Sequence, residues 1–196
     1  MKLFEEGFLT RNKRIIIIAV LIMIISVIIG ASIGYIKNGH NLNIISNMMT
    51  SKQPVNGTST VGSSSIFLFT HNLTVDLITI IGGLIFSIPS VLITIFNGIS
   101  IGYVFGFDLR FACVSILPHA IFEYLAGALS LAIAFKLTKI EIAIIKNRNF
   151  KNTIKEHNID FKDILSIFII MVLLLAVAAI IEAHITGLIA QWHYGL

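Results

Sequence analysis

The sequence predicts an all-α protein, a polytopic transmembrane helical bundle of about five segments with its N-terminus inside and its C-terminus outside. Three observations carry this expectation. Only 12% of the 196 residues are charged and 56% are hydrophobic, whereas a soluble domain carries about 25% charged residues. Residues 15–36 and 164–181 are apolar runs without a single charge, and about 20 such residues cross a hydrocarbon core of about 30 Å. The basic residues, finally, gather in two places rather than over the whole chain. Residues 1–196 read as one integral membrane domain, with segments expected at about 15–36, 71–88, 91–107, 112–136 and 164–187.

The first segment follows Arg11, Lys13 and Arg14, as a secretory signal would. A signal core is shorter, about 7–15 residues, and ends at small residues. The run over 15–36 is therefore read as an uncleaved anchor. The single cysteine, Cys113, excludes an internal disulfide framework. The net charge of +4 belongs to topology rather than to nucleic acid, because lysines and arginines flank the apolar runs.

Of the 14 basic residues, four precede the first run, and seven lie between Lys136 and Lys162. Loops rich in Lys and Arg stay in the cytoplasm, so the N-terminus and the basic stretch 136–162 belong inside, and the loop 37–65 belongs outside. An odd number of crossings must then separate residue 65 from residue 136. Residues 111–135 supply one, so the 42 residues of 66–107 cross an even number of times. Pro89, within Ser87-Ile88-Pro89-Ser90, is the expected break between two short passes, because proline lacks a donor and interrupts a helix. A re-entrant hairpin buried by its neighbours satisfies the same parity.

Helices in lipid associate through small residues that let backbones approach. Ser26, Gly30 and Gly34 form such a stripe in the first segment, Gly98, Gly102 and Gly106 in the third, and Ala179, Ala183 and Gly187 in the last. They are read as packing faces.

Ionisable groups at mid-span cost about 2.5–3.5 kcal/mol each on insertion scales, so each marks a candidate site. His119 and Glu123 lie four residues apart, about 40° around a helix. Ala126, Gly127 and Ser130 continue that face. Glu182 lies in the last segment with Thr186 one turn on, His71, Asn72 and Asp76 open the second pass, and Asn97 precedes Gly98. The topology puts His119, Glu123 and Glu182 in the outer half of the membrane, and His71, Asn72 and Asp76 enter from the same side. These groups are therefore expected to converge, with Asn97 in the same polar cluster, on one outward-facing cavity. Mutual pairing that locks helices together is the plainest role for His119, Glu123 and Glu182. Binding of an ion or polar solute is the alternative. A metal site is not expected, because His119 and Glu123 alone offer two ligands, short of a site. No His-Glu-x-x-His, Gly-x-Ser-x-Gly or nucleotide-binding motif is present, so neither an enzyme activity nor a cofactor is expected.

At these residues the sequence resembles the stage II sporulation protein M family of integral membrane proteins. His71-Asn72 opens a segment with paired glycines, Gly82-Gly83. Asn97-Gly98-Ile99-Ser100-Ile101-Gly102 matches the family's Asn-Gly-x-x-x-Gly, and Leu117-Pro118-His119-Ala120-Ile121-Phe122-Glu123 resembles its Leu-x-Pro-His-Gly-x-x-Glu. Glu182 also has an acidic counterpart. Ala120 departs from the family's usual glycine. The resemblance covers about residues 10–190 and implies a prokaryotic, multi-pass protein of the cytoplasmic membrane. The family's namesake works with a peptidoglycan-degrading partner and another membrane protein. The loop 37–65 is too short to hold a hydrolase domain.

Two functions are consistent with these residues: a non-enzymatic scaffold or assembly factor of the cell envelope, and a small ion or polar-solute transporter or channel subunit. Expected partners are the lipid bilayer, membrane or envelope proteins and further copies of the chain, with no role for nucleic acid.

Overall fold

The computed structural model describes residues 5–40, 65–148, 150–186 and 188–189. Most of the expected outer loop lies outside them, as do Gly187 and the C-terminal residues after 189. The described chain is helical: α1 (Phe8–His40), α2 (Ser65–Ile81), a 3₁₀ turn (Gly82–Leu84), α3 (Ile88–Phe107), α4 (Leu109–Ser115), α5 (Leu117–Asn147), α6 (Phe150–Glu156), α7 (Asn158–Ile181) and a π-helical turn (Glu182–Thr186). Four stretches are long and apolar enough to cross a membrane: Phe8–Lys37, Ser65–Leu84, Ile88–Phe107 and Asn158–Thr186. Their outer faces carry exposed Ile, Leu and Phe, such as Ile28, Leu92, Phe96 and Leu173, which suits lipid rather than water.

The expected break at Pro89 needs correction. Pro89 sits in the first turn of α3, where its missing N–H is not needed. The chain reverses earlier, through Gly82, Gly83 and the positive-φ pair Phe86 (54°) and Ser87 (55°). A Cβ on Gly83 would lie 2.6 Å from Ala134 Cα, so only glycine lets the turn rest on α5. Thr138 Oγ1 donates to Gly83 O (2.7 Å), Ser87 and Thr138 hydroxyls pair (2.6 Å), and Ser90 Oγ donates to Thr79 O (2.6 Å). Residues 111–135 are likewise not one helix. Asp108 caps α4 by accepting from Phe111 N (2.9 Å), and Pro118 then starts α5. That helix runs to Asn147, well past residue 136.

The glycine stripes are packing faces. Helices α1 and α3 run parallel with backbones in contact: a Cβ on Gly102 would strike the carbonyl of Val27, one on Gly106 that of Ala31, and one on Gly30 that of Ile99. The middle of helix α5 is enclosed by the other helices, with Leu131, Ala132, Ile133 and Ala134 fully buried. Ala19 packs against Ala128 and Leu131 from one side, and Ile167 packs against Ile133 from another.

One end of the bundle is closed by ions. Lys136, only 2% exposed, donates to Asn12 Oδ1 (2.6 Å), Asp160 Oδ1 (2.9 Å) and Asp163 Oδ2 (3.2 Å). Arg11 Nη2 pairs with Asp163 Oδ1 (2.8 Å), and Lys162 pairs with Glu5 (2.7 Å). The beginnings of α1 and α7 therefore share a level with residue 136 of α5, as does the α2–α3 turn through Thr138.

Gly102→Leu is expected to separate α1 from α3, lowering stability by about 1–3 kcal/mol, the range for overpacking. Thermal unfolding in detergent reads this directly. Lys136→Met and Asp163→Asn are each expected to destabilise, with the double variant less harmed than the sum by about 0.5–3 kcal/mol. A double-mutant cycle on the same unfolding signal checks the coupling.

Candidate functional site

The other end of the bundle is acidic and polar. Helix α5 brings His119 and Glu123 to one face, one turn apart, because Pro118 fixes where that helix begins. Helix α7 brings Glu182 to the same place, where its regular turns give way to the π turn of Glu182–Thr186. One ligand atom from each of His119, Glu123 and Glu182 lies within 4.8 Å of the other two. Two ionised carboxylates at that separation repel by roughly 3 kcal/mol at an effective dielectric of about 20, so they need a proton, a cation or strong donors between them.

Some donors are present. Asn72 Nδ2, from α2, donates to Glu123 Oε1. His119 Nδ1 meets Thr186 Oγ1 at 3.2 Å, and that hydroxyl donates in turn to Ile181 O at 3.3 Å. With the Thr186 proton directed at a carbonyl, its oxygen accepts from His119 Nδ1–H. The other imidazole nitrogen, Nε2, is left for a different partner.

Beside this trio opens a cavity of about 360 Å³, lined by His71, Asn72, Asp76, Asn97, Ser100 and Glu123 among others. No lysine or arginine lines it among the described residues. Asp76 is 7% exposed. Its Oδ1 lies 3.2 Å from Ser130 Oγ, a hydroxyl it shares as acceptor with Gly127 O (2.8 Å), whereas its Oδ2 has no partner among the described residues.

The residues singled out from sequence thus fall into three groups. His119, Glu123 and Glu182 form the trio, with Asn72 bonded to it. Asp76, Asn97 and His71 line the cavity, His71 as an exposed ring stacked on Phe67. Gly98, Gly102 and Gly106 face α1 instead, and Pro118 is a helix start. Residues 15–187 match the family described as stage II sporulation protein M. The chain belongs to that family. It is also similar to an uncharacterized protein of Methanocaldococcus jannaschii, 30% identical over 131 residues, which are 64% of this chain and 72% of the relative. No solved structure gave a significant match. Family membership and the apolar helices together make this a multi-pass membrane protein.

Two features of this family member escaped its sequence. The pairing of Thr186 with His119 depends on the π turn, which inserts one residue into a helical ladder and leaves no local signature. The Ser130–Asp76 bond joins two helices 54 residues apart. Asp76→Asn is expected to raise the unfolding temperature, because it removes a buried charge whose Oδ2 finds no donor. Ser130→Ala should lower it, by about 1–3 kcal/mol in stability, through loss of the one donor to Asp76 among the described residues. Opposite shifts in a detergent melting assay are the expected result.

Proposed function

We propose that the chain is a non-enzymatic membrane scaffold or assembly factor. It would sit in the cell membrane with its ionic end at the cytoplasmic face and its polar cluster toward the outside. The observation that carries this reading is that the polar groups bond across helices: Asn72 of α2 to Glu123 of α5, and His119 of α5 to Thr186 beyond α7, with Glu182 beside them. In lipid an unmatched polar group is costly, so these bonds favour one arrangement of the three helices. The partners proposed are membrane or envelope proteins, including further copies of the chain, held through a surface that depends on this arrangement.

A second reading, a small ion or polar-solute transporter or channel subunit, is favoured by the cavity itself, with its carboxylates and amides. Glu123→Gln separates the two. Under the scaffold reading it lowers the unfolding temperature or the recovery of cross-linked membrane partners, and liposomes containing either protein show no ion or solute flux. Flux in wild-type liposomes that Glu123→Gln abolishes at unchanged unfolding temperature would overturn the scaffold reading.

A further inference from the structure

We propose that His119, Glu123 and Glu182 form a binding site for one divalent first-row transition cation of the Zn²⁺ or Mn²⁺ type. This deepens the helix-tying role proposed above and rests on it: the cation is what holds α5 to the end of α7. The donor set is one imidazole and two carboxylates, all within 4.8 Å of one another. Zn²⁺ takes His nitrogen and Glu oxygen at about 2.0–2.2 Å, so the three atoms need close on a common centre by only about an ångström. The imidazole suits Zn²⁺ better than Ca²⁺ or Mg²⁺, and the two carboxylates also suit Mn²⁺.

The surroundings have the form that metal ligands usually require. A ligating histidine commonly gives its other ring N–H to an acceptor, which fixes its tautomer. His119 Nδ1 does this with Thr186 Oγ1, which leaves Nε2 for a metal. A ligating carboxylate is commonly held by a hydrogen bond. Asn72 Nδ2 holds Glu123 in that way.

An independent observation also points to a cation. Asp76, more than nine-tenths buried, lines the cavity that Glu123 also lines, and its Oδ2 is without a donor among the described residues. The cavity therefore gathers acidic groups from two helices with no lysine or arginine lining it among the described residues. A divalent ion balances the two carboxylates of the trio and makes the low-dielectric setting tolerable. A proton shared among the three groups is the competing account.

The test uses the full chain in detergent, without a histidine tag, stripped with a chelator and then given Zn²⁺ or Mn²⁺ alone. Metal analysis after desalting is expected to find about one ion per chain, and added metal should raise the unfolding temperature. His119→Gln and Glu182→Gln should lose the ion, Asn72→Ala should weaken binding about 10–100-fold, and His184→Ala, at an exposed histidine, should bind as wild type. Because a variant could misfold, Co²⁺ is also added to the wild-type chain, where visible absorption bands of a coordinated ion are expected. A wild-type chain that retains no metal and gives no Co²⁺ bands overturns the proposal, as does a His119→Gln or Glu182→Gln protein that binds like wild type. The tie can fail separately: if metal binds but neither metal nor Glu123→Gln alters the unfolding temperature, the site stands and its helix-tying role falls.

Discussion

Lys136 is a desolvated ammonium at the meeting point of three helices, and the placing of the rest of the bundle follows from where it must find its partners. Its three donors are used by Asn12 of α1 and by Asp160 and Asp163 of α7. A buried ion pair adds little net stability, but removing one partner leaves an uncompensated charge and is severe. The network therefore acts mainly as a register device. It allows one relative height for α1, α5 and α7, and the Thr138 bonds one position of the α2–α3 turn against them.

The height set at that end decides what meets at the other. Counting from Lys136, His119 and Glu123 lie 17 and 13 residues along α5, or roughly 20–26 Å at about 1.5 Å per residue. Glu182 lies 19 residues from Asp163 along α7, roughly 28 Å by the same rise. Two antiparallel helices pinned at one end thus deliver their acidic groups to similar depth at the other. The π turn then widens the end of α7 and brings Thr186 under the imidazole.

Much of this was legible as pattern, and the remainder was not for physical reasons. Basic-residue parity placed the N-terminus and the 136–162 stretch together, and the structure brings them to one end through ion pairs. The small-residue stripes of the first and third segments marked real backbone contacts, because packing in lipid has few other chemistries to use. Pro89 and Pro118 were visible as punctuation, but a proline that starts a helix and one that breaks it look alike in a single sequence. Asp160 and Asp163 gave no signal, since carboxylates next to a basic stretch read as solvated charge until a fold buries Lys136 between them. The cluster's membership was readable from the rule that ionisable groups in lipid need a reason. Its internal bonds were not, because they depend on a local change of helical pitch.

The two ends differ in how charge is balanced, and that difference bears on the site. At the ionic end Glu5, Asp160 and Asp163 each have a lysine or arginine within 3.2 Å, so the fold itself satisfies them. At the polar end the acidic groups face an imidazole, an amide and a hydroxyl, and Asp76 Oδ2 has no donor among the described residues. A fold selected for tightness alone could have placed a lysine or an apolar residue there with less electrostatic strain. Retaining carboxylates beside a cavity, with no basic residue lining it among the described residues, is the arrangement expected where the balancing charge comes from outside the chain. The ionic end holds the helices in register with charges of its own, and the polar end is where the proposed cation would supply the balance.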